Sequence, residues 1–192
     1  MAIAGLYKIF DHWHKEGTLY IYSDPHFDDI DLAAGLSNRP SAEEQVKMIN
    51  SKVGKKDTII FLGDIGNVEW IKKIRGYKIL IMGNHDAGRT NYEPVFNEIF
   101  EGPVMIGEKL ILSHEPVDVP WAFNIHGHDH AGAKRKNHLN VCADVIGYTP
   151  VNMNQFMKSG ALSHIETIHR CTIDKATERK AKRGGKKIGK GN

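Results

Sequence analysis

Seven residues of metal-ligating type fall in short motifs of this 192-residue chain: Asp24, His26, Asp64, Asn84, His114, His128 and His130. They offer four imidazoles, two carboxylates and one amide oxygen. Such a mixed nitrogen and oxygen set suits borderline divalent ions such as Mn, Fe, Co, Ni or Zn rather than Ca or Mg. Asp24-x-His26 and His128-x-His130 should each turn two side chains to one side of an extended strand end, because the strand period is two. Seven candidates exceed what one tetrahedral zinc needs, so the surplus points to two ions. His126 shares the parity of His128 and could line the same site. Asp129 should instead face away or bond a backbone amide. Arg89 could clamp a phosphate bidentately, or lie solvated.

The elements that must gather these motifs can be read from the apolar pattern. β-branched runs at 18–22, 58–62 and 77–82 stop at Ser23-Asp24, Gly63-Asp64 and Gly83-Asn84. A run at 109–112 stops at Ser113-His114, and one at 122–125 stops at His126. Gly107-Glu108 reads as a tight turn between strands at 104–106 and 109–112. A helix over 41–53 is opened by a capping box of Ser41 and Glu44, and its Val46, Ile49 and Val53 recur at helical spacing. Further elements are a short helix at 68–74, a strand at 138–142 and a helix from Asn152 to about Lys158. The stretch 161–172 leans toward helix. Strands alternating with helices indicate an α/β sandwich, and ligands of open α/β sheets bind beyond the carboxyl ends of the strands. Five such ends could therefore converge on one site.

In content and order, Asp24-x-His26, Gly63-Asp64, Gly83-Asn84-His85-Asp86, the lone His114 and Gly127-His128-x-His130 resemble the signature of the calcineurin-like metallophosphoesterases. The stretch Asn38-Arg39-Pro40 is similar to small bacterial and phage members. That resemblance implies a four-layer α/β/β/α sandwich of two mixed β-sheets flanked by helices. It implies one ion held by Asp24, His26 and His130, a second held by Asn84, His114 and His128, and Asp64 bridging them. Manganese is the first choice, with Fe, Ni, Co or Zn as alternatives. The expected activity is hydrolysis of a phosphate ester, a phosphodiester by preference, with a nucleotide or nucleic acid as substrate. A metal-bridging hydroxide would attack phosphorus in line. His85 would protonate the leaving oxygen, with Asp86 orienting it and keeping it charged. The alternative is a catalytically silent binding scaffold of the same fold.

Composition bounds the rest. With 41% hydrophobic and 26% charged residues the chain has an ordinary globular balance. No apolar run approaches the roughly 20 residues that span a bilayer, so no membrane partner is expected. The N-terminus lacks the features of a secretory leader, which predicts a cytoplasmic protein. Cys142 and Cys171 are too few and too far apart for a disulfide framework, and are expected as free thiols. His12, His14, His138, His164 and His169, with Trp13 and Trp121, are expected in surface or packing roles. One domain over 1–174 should be followed by a basic tail over 175–192, disordered beyond about Arg183. That tail carries eight basic residues and one acid, net +7, against 18 basic and 22 acidic residues before it. Its charge could hold a nucleic acid through phosphate contacts, or simply be solvated.

Overall fold

Alternating side chains put apolar groups on both faces of the central strands, and two cores result. The computed structural model describes residues 17–36, 38–166 and 168–184. Strands β1 (Leu19–Tyr22), β2 (Thr58–Phe61), β3 (Tyr77–Ile81), β4 (Glu98–Phe100) and β9 (Val151–Asn152) form a five-stranded sheet in the order β4-β3-β2-β1-β9. Its first four strands run parallel, and β9 is antiparallel to β1. Strands β5 (Val104–Ile106), β6 (Leu110–Leu112), β7 (Phe123–His126) and β8 (His138–Asn140) form the second sheet in that order. There β5 and β6 make the expected hairpin, while β6, β7 and β8 are parallel.

Leu19, Ile21, Ile60, Leu62, Ile79 and Ile81 point inward to meet Ile106, Leu110, Leu112, Phe123, Ile125 and Val141 of the second sheet. The intervening Ile59, Phe61 and Leu80 face the opposite way, onto Val46 and Ile49 of helix α2 (Ala42–Lys52). This period-two division explains why the strands read as continuous apolar runs: both faces are covered. The result is a mixed α/β fold with two mixed sheets and several helices, as the alternating pattern predicts. Helix α2 opens with the expected capping box of Ser41 and Glu44.

Short elements escaped the pattern, among them a 3-10 turn at Arg89–Asn91. Helix α1 (Ile30–Gly35) spans six residues, β4 three and β9 two. None is long enough for a periodicity to show. Residues 68–73 form a 3-10 helix, and Asn152 caps α3 (Met153–Lys158) through two backbone amides. Residues 161–164 are turns, and helix begins again only with α4 (Ile168–Gly184). The described part of the basic tail, 175–184, is thus helical, while the stretch beyond about Arg183 expected to be disordered lies almost wholly outside the described residues. Residues 172–182 are exposed throughout. Ala, Lys, Glu and Arg are strong helix formers, which favours helix over this exposed stretch. Residues 185–192, with His12, Trp13, His14 and the side chains of His169 and Cys171, lie outside the described residues. Cys142 is a buried free thiol. No described helix is long and apolar enough to cross a membrane.

Candidate metal centre

Because β1, β2 and β3 are parallel, as are β6 and β7, each group of carboxyl ends opens on one side. The two groups meet where the sheets are stitched together. Ser23 donates from its backbone to Val141 O and accepts from Ala143 N, at 3.1 and 2.9 Å. His114, from the end of β6, sends Nδ1 to Leu62 O beyond β2 at 2.7 Å. Across this seam all seven candidate residues come together.

They form two groups. Ligand-type atoms of Asp24, His26 and His130 lie within 4.8 Å of one another, as do those of Asp64, His114 and His128. Asn84 Oδ1 joins the second group, 2.7 Å from His114 Nε2 and 3.1 Å from His128 Nδ1. Asp64 Oδ2 lies 3.4 Å from His26 Nε2 and 3.4 Å from His114 Nε2, equidistant between the groups. Asp24 Oδ1 and His26 Nε2 are buried and lack a hydrogen-bond partner.

The outer nitrogens explain the inner ones. His26 Nδ1 is 3.0 Å from Asp29 Oδ2, and His130 Nδ1 is 2.6 Å from Asp144 Oδ2. With His114 Nδ1 on a carbonyl, all three rings face an acceptor with Nδ1. In the neutral ring Nδ1 must then carry the hydrogen, and the Nε2 lone pair points inward. For His26 and His114 it points at the Asp64 carboxylate, another acceptor. Such an arrangement is stable only with a cation between the facing lone pairs, a proton or a metal. This is the usual construction around metal-binding histidines.

The path by which the candidate ligands reach this geometry differs from the expected strand alternation. Asp24, His26, Asp64 and His128 all have positive φ, at 57°, 42°, 53° and 66°. The backbone leaves the extended form at each strand end and turns the side chain by a left-handed residue. Each such residue costs roughly 1–2 kcal/mol, which the surrounding hydrogen bonds must offset. The parity argument fails for His126 for this reason. Its side chain lies on the far face of the second sheet, ring centroid 5.2 Å from that of His138, and does not join the site. Asp129 accepts from Ala131 N and Ala133 N, as expected. Arg89 is exposed, reaching Glu93 and the carbonyl of Ile99.

Two glycines permit the close approach. A Cβ on Gly127 would stand 2.0 Å from Ser23 Oγ and 2.2 Å from Asp24 Oδ2. One on Gly83 would stand 2.3 Å from Asp64 Oδ1.

The sequence matches no protein-family model and no curated protein. In structure it is similar to AQ665 from Aquifex aeolicus, a protein of unknown function, with a TM-score of 0.62 and 23% identity. That match covers 73% of this chain and 98% of AQ665. The shared property is the fold. A weaker likeness, TM-score 0.44 at 21% identity, is to Pseudomonas putida nuclease MPE, over 58% of this chain and 61% of that one.

Asp86 does not reach His85, which corrects the expected pairing. Its Oδ2 accepts from Asp64 N and Gly83 N, and its Oδ1 from Ile65 N and Tyr92 OH, at 2.8 to 3.0 Å. It therefore ties the turn after β2 to the turn after β3 and holds Asp64 in its left-handed form. His85 is exposed, donates its backbone N–H to Asp64 Oδ1 at 3.0 Å, and has its ring 5.9 Å from that of His26. Asp86→Ala should destabilise the protein by about 3 kcal/mol, more than one charged hydrogen bond and less than the sum of four. Thermal unfolding of the metal-free protein checks this. A stability within error of the parent would show that Asp86 has no such structural role.

Sequence reasoning missed Asp29, Asp144 and Tyr148 behind the histidines, and noted Arg39 only within Asn38-Arg39-Pro40, without a role. For Asp144 a signal existed, since it follows β8 as the candidate ligands follow their strands. Asp144, His130 and Cys142 form a third group of ligand type. The Arg39 guanidinium already pairs with Asp144, and Tyr148 donates to it as well. A second cation there would meet that fixed positive charge, so this group supports His130 and is no ion site.

Burial opposes the charged forms of His26 and His114, but Asp64 and Asp24 outweigh it and raise both pKa values above 6.5. Burial likewise opposes ionised Asp64, yet the two imidazoles hold its carboxyl well below the usual carboxylate range. The sign of the pH dependence follows. The histidine contribution is complete below 6.5 and is lost as pH rises through the raised values. The Asp64 contribution is present above 3.8 and lost only in strong acid. Metal-stripped protein should therefore melt higher at about pH 6 than at about pH 8. With manganese the order should reverse, because the ions displace these protons. A stripped protein whose melting temperature rises between those pH values would contradict the account.

Proposed function

We propose that this protein is a phosphoesterase of the calcineurin-like type, dependent on two divalent metal ions. The observation that carries the reading is the Asp64 carboxylate held midway between two inward-facing Nε2 atoms. Asp24, His26 and His130 would hold one ion, Asn84, His114 and His128 the other, with Asp64 between them. The donor set fits, since imidazole and carboxylate suit manganese and its first-row neighbours, and two of its buried atoms have no other partner. Two such ions, when bound, would supply positive charge at a phosphoryl group and lower the pKa of a nearby water.

The chain's own residues then have distinct tasks. His85, exposed beside the first group and fixed by its backbone bond to Asp64, would donate a proton to the leaving oxygen. Asp86 holds the turns of Asp64 and Asn84 in register. The proposed substrate class is a phosphodiester. The +7 segment over 175–192 matches a nucleotide or nucleic-acid polyanion in sign. The test is hydrolysis of bis-p-nitrophenyl phosphate and p-nitrophenyl phosphate by chelator-stripped protein, with and without manganese. Metal-restored turnover, faster on the diester, is expected. Metal binding without turnover of either ester would leave the silent scaffold as the better account.

A further inference from the structure

Behind His130 lies a set of contacts that the hydrolytic chemistry does not use. The Arg39 side chain is only 3% exposed and the Asp144 side chain 11%. Arg39 Nη1 donates to Asp144 Oδ2, while Nη2 donates to the carbonyls of Asp24 and Pro25 at 2.6 and 2.7 Å. Asp144 Oδ2 also meets His130 Nδ1 at 2.6 Å, and its Oδ1 accepts from Tyr148 OH. The Tyr148 ring lies under the guanidinium, 5.7 Å from Arg39 Cζ to the centroid. One buried cation thus grips the backbone that carries Asp24 and, through Asp144, the ring of His130.

Charge explains why both members are present. An unpaired Asp144 buried near Asp24 and Asp64 would add a third negative charge to one small volume. Arg39 balances it, leaving Asp144 free to fix the tautomer and plane of His130. Neutral replacements would allow the His130 ring to turn and Nε2 to lose its aim toward Asp24 Oδ1, 3.9 Å away. The second group has no such support: His128 is exposed, and His114 leans on a backbone carbonyl.

We propose that Arg39 and Asp144 are a positioning pair that sets the affinity of the Asp24–His26–His130 metal position, acting through His130. The proposal rests on the metal-centre reading above, in that it takes those three residues as ligands. It touches neither substrate nor the second position.

The experiment titrates stripped protein with manganese alone, following bound metal by equilibrium dialysis with elemental analysis. The variants are Asp144→Asn, Asp144→Ala, Arg39→Gln and Arg39→Lys, each in the otherwise intact chain. Unfolding of the stripped variants shows whether they fold, and Asp144→Asn and Arg39→Lys keep nearly the native shape. One of two manganese affinities should weaken by about 10–100-fold, the range for loss of an outer partner of a metal-bound histidine, while the other stays at the parent value. Arg39→Gln combined with Asp144→Asn should be little worse than either alone, because they act through one another. In a His130→Ala background, Asp144→Asn should change manganese affinity no further. A general structural role predicts added loss there, and that result would overturn the proposal. Two parent-like affinities in both Asp144→Ala and Arg39→Gln would overturn it equally. If the parent chain binds no manganese, the metal-centre reading itself fails, and the proposal with it.

Discussion

Replacing His85 with asparagine should lower turnover of an alkyl phosphodiester by about 10²–10⁴-fold, the usual contribution of general acid catalysis. The same variant should lose far less on a nitrophenyl ester, whose leaving group departs without a proton. Manganese binding should be unchanged, and the structure gives the reason. His85 touches the candidate centre through its backbone N–H, which donates to Asp64 Oδ1 and survives any side-chain change. The ring is exposed and shares no hydrogen bond with Asp86, so it is positioned by its turn rather than by a carboxylate. Parallel pH–rate profiles of parent and variant on both esters check this. Equal losses on good and poor leaving groups would assign His85 to substrate positioning instead.

The second large effect concerns Asp64. Its Oδ2 stands 3.4 Å from a histidine of each group, so one substitution should damage both. Asp64→Ala should reduce bound manganese from about two equivalents to below one, with affinity losses beyond the ~100-fold typical of an outer residue. Asn84→Ala, which removes a candidate ligand of one group only, should leave about one equivalent. Elemental analysis of dialysed protein reads both. An Asp64→Ala protein that keeps two tightly held ions would eliminate the bridging role.

These expectations rest on parts of the molecule that differ in how visible they were in the sequence. Strands were legible because β2 and most of β1 and β3 are buried on both faces, which leaves largely apolar runs ending at a residue of ligand type. Helix α2 announced itself through Ser41, Glu44 and a single apolar face. β9 did not, since two residues cannot display a period. That the seven candidate residues would gather was legible from their type and their common place after a strand. Their geometry was not, because left-handed backbone at Asp24, His26, Asp64 and His128 overrides alternation; His126 followed the strand rule and so faced away. The function of Asp86 was misread because its sequence neighbour is His85, whereas its partners are amides at 64, 65 and 83. Arg39 and Asp144 are 105 positions apart, and no local pattern joins them.

The seam between the sheets also has a consequence in time. The second sheet starts at Val104, and the candidate ligands that follow its strands, His114, His128 and His130, meet Asp24 and Asp64 only after both sheets exist and dock. Closing loops of that length is entropically slow, and no local turn of the chain holds a complete ligand set. The centre therefore belongs to the last stage of folding, and a nascent chain cannot assemble it before residue 130 has emerged. Manganese should then slow unfolding by a large factor while barely altering the refolding rate, because interactions absent from the transition state act on escape alone. Stopped-flow traces with and without the ion would show that asymmetry, and a matching acceleration of refolding would argue for a centre formed early.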